Sequence, residues 1–338
     1  MTGLATLRPD ADVLAIIVAR IGDTLLVTPA LRALKARLPQ GRLTVLAHAK
    51  RAALLEHLPF IDRLGSIDKR SALWRGHLPA PRHDLAFVWG HDRPLLDYGL
   101  RLARTAVAFD AAGLPDSSRL VRVSKPRSSI HAVRERLLLV EAAGVSCQEV
   151  RLAYAVTPQE ADAAKIWLGE QSAGRPLIGI QPVSFPTKAH RDWPVESFCK
   201  LLRRLAADFP GASFVILGDQ AAANAGRRLQ AAVEGRVILA AGRFDLRQSA
   251  ALIGQLDLYV GVDTGPTHIA GALSIPMVAL YHCSDPGRNL VPLDHPACRM
   301  IEHPATGALD AGTERGMAEI PVDTVRRAAM DLLESRSW

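Results

Sequence analysis

The sequence has few cysteines, few aromatic residues and no long apolar run. Its four cysteines form no C-x-x-C pair and stand beside no histidine pair at zinc-ligand spacing, so we expect reduced thiols and no metal site. Aromatic residues make up 5% of the chain and are not interleaved with basic ones, which argues against nucleic-acid binding. The apolar run Leu14–Ala19 is far shorter than the ~20 residues of a membrane-spanning helix. No signal-peptide pattern opens the chain, so we expect a cytoplasmic protein.

Negative charge is scarce in the first half of the chain. Residues 1–150 carry 22 lysines and arginines against 14 aspartates and glutamates, whereas residues 151–338 carry 19 against 20. The net charge of +7 therefore comes from the first half. Such a half is either a solvated basic surface or the site of an anionic partner, such as a phosphorylated substrate or a membrane surface.

Short apolar runs alternate with amphipathic segments along the chain, which predicts buried parallel strands with helices between them. In the first half the predicted strands are Val13–Ala19, Leu43–Ala47, Asp84–Trp89 and Thr105–Phe109, and the predicted helices are Thr24–Leu38 and His131–Ala143. In the second half the predicted strands are Leu177–Gln181, Phe214–Gly218, Val237–Ala240, Leu258–Val262 and Met277–Tyr281, and the predicted helices are Pro194–Asp208, Ala221–Val233, Leu246–Gln255, Pro266–Leu273 and Val322–Ser335.

This alternation predicts an α/β fold with two doubly wound, Rossmann-like domains. A polar helical stretch from about Thr157 to Pro176 contains the predicted seam, and we place the boundary between residues 1–160 and residues 161–338. Two such domains facing each other would form a ligand-binding cleft at the carboxyl ends of their strands.

A glycine–aspartate pair follows the first predicted strand. Gly22 lets a ligand approach the strand end closely, and Asp23 and Thr24 stand where a helix N-cap belongs. Capping explains Asp23 without any function. The alternative is that its carboxylate acts as a general base, with Gly22 and Thr24 beside an acceptor. The G-x-G-x-x-G pattern is absent from this turn, which disfavours a nicotinamide or flavin cofactor.

A second strand-to-helix turn carries the run GVDTGPTH. Thr264, Gly265 and Thr267 surround the predicted start of a helix, where free backbone N–H groups and the helix dipole attract phosphate. Asp263 either caps this helix or accepts hydrogen bonds from ligand hydroxyls. His268 either packs in the core or contacts the ligand.

The third motif is the loop SFPTKAHRDWP, which follows the first predicted strand of the second half. Lys188 and Arg191 place two cations near the hydroxyl donors Ser184 and Thr187. Two cations can neutralise a departing diphosphate, so all four residues are candidate ligands of a nucleotide-sugar donor. The alternative is a solvated loop that leads into a helix at Trp193.

Together these motifs resemble glycosyltransferase family 9, the ADP-heptose:lipopolysaccharide heptosyltransferases. The resemblance rests on RIGDTLLVTPALRALKARLP, RDWPVESFCKLLRRL, GVDTGPTHIAGALSIPMVALY, SDPGR and MAEIPVDTVRRAAMDLL, which occur in the family's order over nearly the whole chain. It implies a GT-B fold, with the acceptor on the N-terminal domain and the nucleotide sugar on the C-terminal one. Asp23 is then the catalytic base, and Arg191 contacts the donor phosphates. Asp263, Thr264 and Gly265 lie around the donor.

The function that the resemblance implies is an inverting transfer of heptose from ADP-L-glycero-D-manno-heptose to the lipopolysaccharide inner core, either Kdo–lipid A or its heptosylated form. An attacking sugar hydroxyl needs a base, whereas ADP is a good leaving group, so we expect no obligatory metal or cofactor. The anionic, lipid-linked acceptor would account for the basic first half and for peripheral contact with the inner membrane. Val183 departs from the small residue of the family at the donor-side turn, which bears on the identity of the donor.

Two alternatives remain open. The chain could use another nucleotide sugar, either with a different glycan acceptor or as a sugar-nucleotide epimerase. It could also be a nucleotide-binding module without activity. The sequence indicates neither the acceptor hydroxyl nor the oligomeric state.

Overall fold

The structure is a computed structural model that describes residues 7–75, 83–308 and 312–335. The chain forms two compact units, Met1–Ala155 and Val156–Trp338, and each is built on one six-stranded sheet. This confirms the predicted α/β class. The division lies before the predicted boundary at residue 160 because Pro158–Glu170 is one helix. Glu160 in its first turn bonds to Arg247, which ties the helix to the second unit.

The first unit contains six strands and six helices among the described residues. The strands are β1 (Asp12–Ile17), β2 (Arg42–Ala47), β3 (Arg63–Ser66), β4 (His83–Trp89), β5 (Ala103–Phe109) and β6 (Leu120–Val123). The helices are α1 (Ile21–Leu25), α2 (Thr28–Ala36), α3 (Ala49–Ala52), α4 (Lys69–Trp74), α5 (Arg93–Leu102) and α6 (Ala132–Glu141). All paired strands are parallel, in the order β3-β2-β1-β4-β5-β6.

One predicted helix of the first unit is two helices in the structure. The segment predicted as Thr24–Leu38 breaks between α1 and α2, at Leu26 and Val27. Pro29 stands in the first turn of α2, where its missing N–H costs no intrahelical bond. The proline therefore suits a new helix start better than the interior of one long helix.

The second unit repeats the architecture. Its strands are β7 (Leu177–Gln181), β8 (Ser213–Ile216), β9 (Val237–Leu239), β10 (Leu258–Val262), β11 (Met277–Tyr281) and β12 (Cys298–Glu302). Its helices are α7 (Pro158–Glu170), α8 (Val195–Asp208), α9 (Gln220–Ala232), α10 (Leu246–Ile253), α11 (Gly265–Ala272) and α12 (Val322–Glu334). The strands are again parallel, in the order β12-β11-β10-β7-β8-β9.

The core of the second unit fixes the loop that follows β7. Trp193 is fully buried, stacks edge-on against Phe198 of α8 and donates its indole N–H to the carbonyl of Ile320 at 3.1 Å. This contact ties the end of the loop to the segment that precedes α12. All residues of β7, β10 and β11 are buried, and these strands are neighbours, so their carboxyl ends lie side by side.

No helix in the part of the chain that the structure describes combines the length and the apolar character needed to cross a membrane.

Candidate active site

Asp23 lies on α1, the first helix after β1. Arg20 occupies the N-cap position of this helix and no side chain makes a capping bond there, so capping does not account for Asp23. Its Oδ1 accepts a hydrogen bond from Nη2 of Arg136 at 3.0 Å, and its side chain is 42% exposed. Asp23 is therefore an ion-paired carboxylate that a ligand can still reach.

A cavity of about 290 Å³ opens beside Asp23 within the first unit. Its wall combines this carboxylate with the cations Lys125 and Arg136 and with the aromatic rings of Trp89 and Phe109. Aromatic and charged groups together suit a sugar that carries anionic substituents. A base in such a cavity can accept a proton from a bound hydroxyl.

The two neighbours of Asp23 do not line this cavity. Thr24 is fully buried, and its Oγ1 donates to the carbonyl of Arg20 at 2.8 Å. Its hydroxyl therefore closes the turn into α1 and is not presented to an acceptor. Gly22 lies in the same turn, and its predicted contact with an acceptor stays a prediction.

In the second unit the structure brings Arg191 and Asp263 together. Nη1 of Arg191 lies 2.7 Å from Oδ2 of Asp263, and its Nη2 lies 2.5 Å from Oδ1 of Asp285. The side chains of Arg191 and Asp263 are only 14% and 7% exposed. Arg191 is therefore already balanced by two carboxylates, which differs from the free phosphate-binding cation that the sequence predicts.

The environment of Asp285 follows from this arrangement. Burial opposes ionisation of its carboxyl, but the Ser284 hydroxyl and the Arg191 guanidinium together hold the pKa of Asp285 below its usual value. Ser284 donates to Oδ2 at 2.8 Å, while Arg191 takes Oδ1. Asp285 is thus a fixed anion at the end of β11.

Two predicted donor-binding hydroxyls are used inside the protein. Oγ of Ser184 donates to the carbonyl of Lys188 at 2.8 Å, which closes the loop after β7. Thr267 is fully buried, and its Oγ1 donates to the carbonyl of Val262 at 2.6 Å and lies 2.9 Å from Oη of Tyr259. Both hydroxyls hold the backbone in place. The Thr267 hydroxyl is not presented to a ligand, whereas Ser184 is half-buried and its predicted contact with the donor stays a prediction.

Other predicted donor-binding groups are at least partly exposed or lie at the start of α11, where the Thr264 hydroxyl is 3.5 Å from Oγ1 of Thr267. Thr187 is exposed, and the ammonium of Lys188 makes no hydrogen bond within the described part of the chain. Thr264 is the N-cap of α11, but its side chain makes no capping bond, and Gly265 is the first, buried residue of the helix. The first turn of α11 therefore offers backbone donors to an anion.

His268 is buried on α11, with Nε2 at 3.6 Å from Oδ1 of Asp263. This distance is too long for a hydrogen bond. Its Nδ1 is a buried polar atom without a hydrogen-bond partner among the described residues, as are Oε1 of Gln181, Nε2 of His190, Nε of Arg191 and Oη of Tyr281. Each such atom costs about 1–3 kcal/mol when it stays unpaired. A bound ligand that supplies partners would recover this energy.

Sequence reasoning missed four charged groups of these sites, namely Arg20, Lys125, Arg136 and Asp285. Asp285 lies in the loop after β11, the strand next to β10, so the rule that ligands bind at neighbouring strand ends could have found it. Arg136 lies 113 residues after Asp23 in the sequence, and no local sequence pattern predicts that the two side chains pair. Among the described residues, no group of three or more His, Cys, Asp or Glu side chains could hold a metal ion.

Comparisons with known proteins agree on one family. Residues 104–303 match the model of glycosyltransferase family 9 (heptosyltransferase). Lipopolysaccharide heptosyltransferase 3 of Escherichia coli is 24% identical over 283 residues, which are 78% of this chain and 81% of that protein.

Two solved structures share the fold of the whole chain. The glycosyl transferase family 9 structure from Veillonella parvula DSM 2008 has a TM-score of 0.80 at 19% identity and covers 98% of this chain and 99% of its own. The E. coli ADP-heptose lps heptosyltransferase II has a TM-score of 0.77 at 23% identity and covers 96% and 99%. The stretch that matches the family contains Arg191 and Asp263 but not Asp23, so the role of Asp23 depends on its geometry.

Proposed function

The chain belongs to glycosyltransferase family 9, the heptosyltransferases, and has the GT-B fold; from this premise we propose that it transfers a heptose, with inversion, from ADP-L-glycero-D-manno-heptose to the lipopolysaccharide inner core. One observation carries the proposal: Asp23 presents an ion-paired carboxylate at the wall of a cavity lined by cations and aromatic rings. Such a cavity supplies both a base and contacts for an anionic sugar acceptor.

Asp23 acts as the general base of a single displacement. It takes the proton of an acceptor hydroxyl while the oxygen of that hydroxyl attacks the anomeric carbon of the heptose. The bond between the anomeric carbon and the diphosphate oxygen breaks with its electron pair on ADP. The products are the heptosylated acceptor and ADP, and the configuration at the anomeric carbon is inverted.

The second unit binds the donor. Lys188, Thr187 and the first turn of α11 stabilise the charge that develops on the departing diphosphate. Arg191 fixes Asp263 and Asp285, whose oxygens then accept hydrogen bonds from donor hydroxyls. The likeness to an E. coli ADP-heptose heptosyltransferase supports ADP-heptose as the donor.

The first unit binds the acceptor. Lys125 and Arg136 are cations at the cavity wall, and the basic excess of residues 1–150 favours a negatively charged partner. The inner core is anionic and lipid-linked, so the proposal includes peripheral contact with the cytoplasmic face of the inner membrane.

Replacement of Asp23 by Asn tests the proposal. Loss of the base is expected to lower kcat by about 10²–10⁴-fold, whereas calorimetric binding of the donor stays unchanged because the donor contacts lie in the second unit. The assay measures ADP release and product mass with ADP-heptose and a de-acylated Kdo–lipid A. Asp97→Asn is the matched control, because Asp97 is also paired with an arginine, Arg93, on the surface of α5.

Near-normal turnover of the Asp23→Asn variant would refute the assignment of the base. Turnover of ADP-heptose that needs no acceptor would indicate an epimerase or hydrolase, and binding without turnover by the wild type would indicate a nucleotide-binding module. A thermal-shift screen of nucleotide sugars identifies the donor if ADP-heptose is not the ligand that stabilises the protein most.

A further inference from the structure

We propose that Arg136 is the positioning residue of the transfer reaction: it holds Oδ1 of Asp23 so that Oδ2 takes the proton of the acceptor. This inference rests on the proposed function and assigns the reacting atom within it. Nη2 of Arg136 bonds to Oδ1 at 3.0 Å, and no other side chain in the described part of the chain bonds to the Asp23 carboxylate. Oδ2 is therefore the oxygen that remains for a substrate.

Arg136 projects from a helix that is firmly anchored. In α6 the side chains of Val133, Leu137 and Val140 are fully buried, and the first turn is capped by Nδ1 of His131, which accepts from the N–H of Val133 at 3.1 Å. A side chain on such a helix starts from a fixed backbone position. Asp23, by contrast, lies on the five-residue helix α1, so an outside contact is needed to fix its carboxylate.

The backbone of Arg136 is itself tied to the cavity wall. Its carbonyl accepts the indole N–H of Trp89 at 3.0 Å, and Trp89 ends β4, the strand next to β1 in the sheet. Asp23 lies on α1, which a three-residue connection joins to β1, so the neighbouring strands β1 and β4 support the two ends of the Asp23–Arg136 contact. The distance between base and positioning residue is thus defined by the sheet.

The charges around Arg136 explain why it takes only one oxygen of Asp23. Its Nη1 pairs with Glu135, and Glu135 in turn accepts from Nζ of Lys125 at 3.1 Å. Glu135 therefore occupies Nη1, so the edge formed by the two Nη groups does not bind both oxygens of Asp23 in a bidentate pair. The charges of Lys125, Glu135, Arg136 and Asp23 alternate in sign along this row, and their formal sum is zero. One carboxylate oxygen of Asp23 stays outside these ion pairs.

The contribution of the Asp23–Arg136 ion pair to folding stability is too small to explain why the pair is present. Asp23 is 42% exposed and Arg136 is 20% exposed, and ion pairs of this exposure contribute about 0–1 kcal/mol to folding. Orientation of a base has a much larger effect on rate, because misplacement by about 1 Å costs about 100-fold. The pair is therefore better explained by catalysis than by folding.

The test compares Arg136→Ala and Arg136→Lys with the wild type in the ADP-release assay. We expect Arg136→Ala to lose about 10- to 100-fold in kcat with the donor KM unchanged, and Arg136→Lys to recover part of the loss, because an ammonium can also hold Oδ1. Millimolar guanidinium should restore turnover to Arg136→Ala but not to the double variant with Asp23→Asn. Arg134→Ala is the matched control, since Arg134 is an exposed arginine of the same helix.

Thermal melting of each variant separates misfolding from a catalytic effect, and Arg136→Lys keeps the test valid if Arg136→Ala does not fold. A kcat of Arg136→Ala equal to that of the wild type, or a loss that neither lysine nor guanidinium restores, would overturn the assignment. Failure of the proposed function is distinct from both, because then the wild type itself transfers no heptose.

Discussion

Replacement of Arg191 by Met should destabilise the second unit strongly. Methionine keeps most of the stem of the side chain but removes the guanidinium that lies between Asp263 and Asp285. Asp263 is 7% exposed, so the substitution leaves a buried charge without a partner. Breaking a buried ion pair in this way costs about 3–5 kcal/mol, which in a unit of this size corresponds to a melting temperature lower by about 6–20 °C.

Differential scanning calorimetry at pH 7 measures this effect, and a double-mutant cycle assigns it to the pair. The variant Asp263→Asn alone should cost less, because Arg191 retains Asp285. In the double variant the loss should be smaller than the sum of the two single losses. Arg93→Met is the matched control, since Arg93 forms an exposed pair with Asp97 that is worth about 0.5 kcal/mol.

The pH dependence gives a second measurement of the same contact. The pKa of Asp285 is below its ordinary value of 3.8, so its contribution to stability is complete above that value and is lost as the pH falls through the lower folded pKa. The difference between wild type and Arg191→Met should therefore shrink in acid. A loss below about 1 kcal/mol at pH 7, or one that does not depend on Asp263, would refute the reasoning.

Two further predictions concern the same unit. Arg247 lowers the pKa of Glu160 to about 2 from 4.5. A shift of this size corresponds to about 3 kcal/mol of folding stability at pH 7. Because the side chain of Glu160 is 23% exposed, solvent screening reduces the expected contribution to about 1–2 kcal/mol. Urea denaturation should show that Glu160→Gln lowers the free energy of unfolding by that amount at pH 7 and by progressively less below pH 4.5. The control Glu170→Gln, at the end of the same helix, should not lower it. Equal losses for Glu160→Gln at pH 7 and pH 2 would contradict the pairing. Calorimetry should show that Lys188→Met raises the donor Kd about tenfold and weakens the salt dependence of that Kd, because one phosphate contact is lost. The control Lys200→Met on α8 should change neither quantity. An unchanged Kd for Lys188→Met would exclude Lys188 from the donor site.

Central strands could be predicted from the sequence because both of their faces are buried. β7, β10 and β11 consist of buried residues throughout, so their apolar runs are continuous. The edge strands β3 and β12 contain exposed residues such as Arg63 and Met300 and give no such run. Edge strands pair on one side only, so the sequence carries less information about them.

Residues at strand ends could also be predicted, since the carboxyl ends of parallel strands share one edge of the sheet. This rule places Asp23 after β1 and Asp263 after β10, where the structure has them. It does not predict which side chain pairs with each carboxylate. Arg136 reaches Asp23 across 113 residues and Arg191 reaches Asp263 across 72, and such pairs depend on how helices pack on the sheet.

Pairing also changes what a count of charges means. By sequence, Arg191 and Lys188 are equivalent cations of one loop, but the guanidinium of Arg191 is paired with Asp263 and Asp285, whereas the ammonium of Lys188 makes no hydrogen bond within the described residues. The same distinction holds in the basic first unit, where Lys35 and Arg93 are paired with Asp62 and Asp97. Arg136 and Lys125 at the cavity beside Asp23 are paired as well, with Asp23 and Glu135, so the total count of charges does not measure the attraction of an anionic acceptor. A change in total charge far from this cavity should alter encounter rates more than turnover.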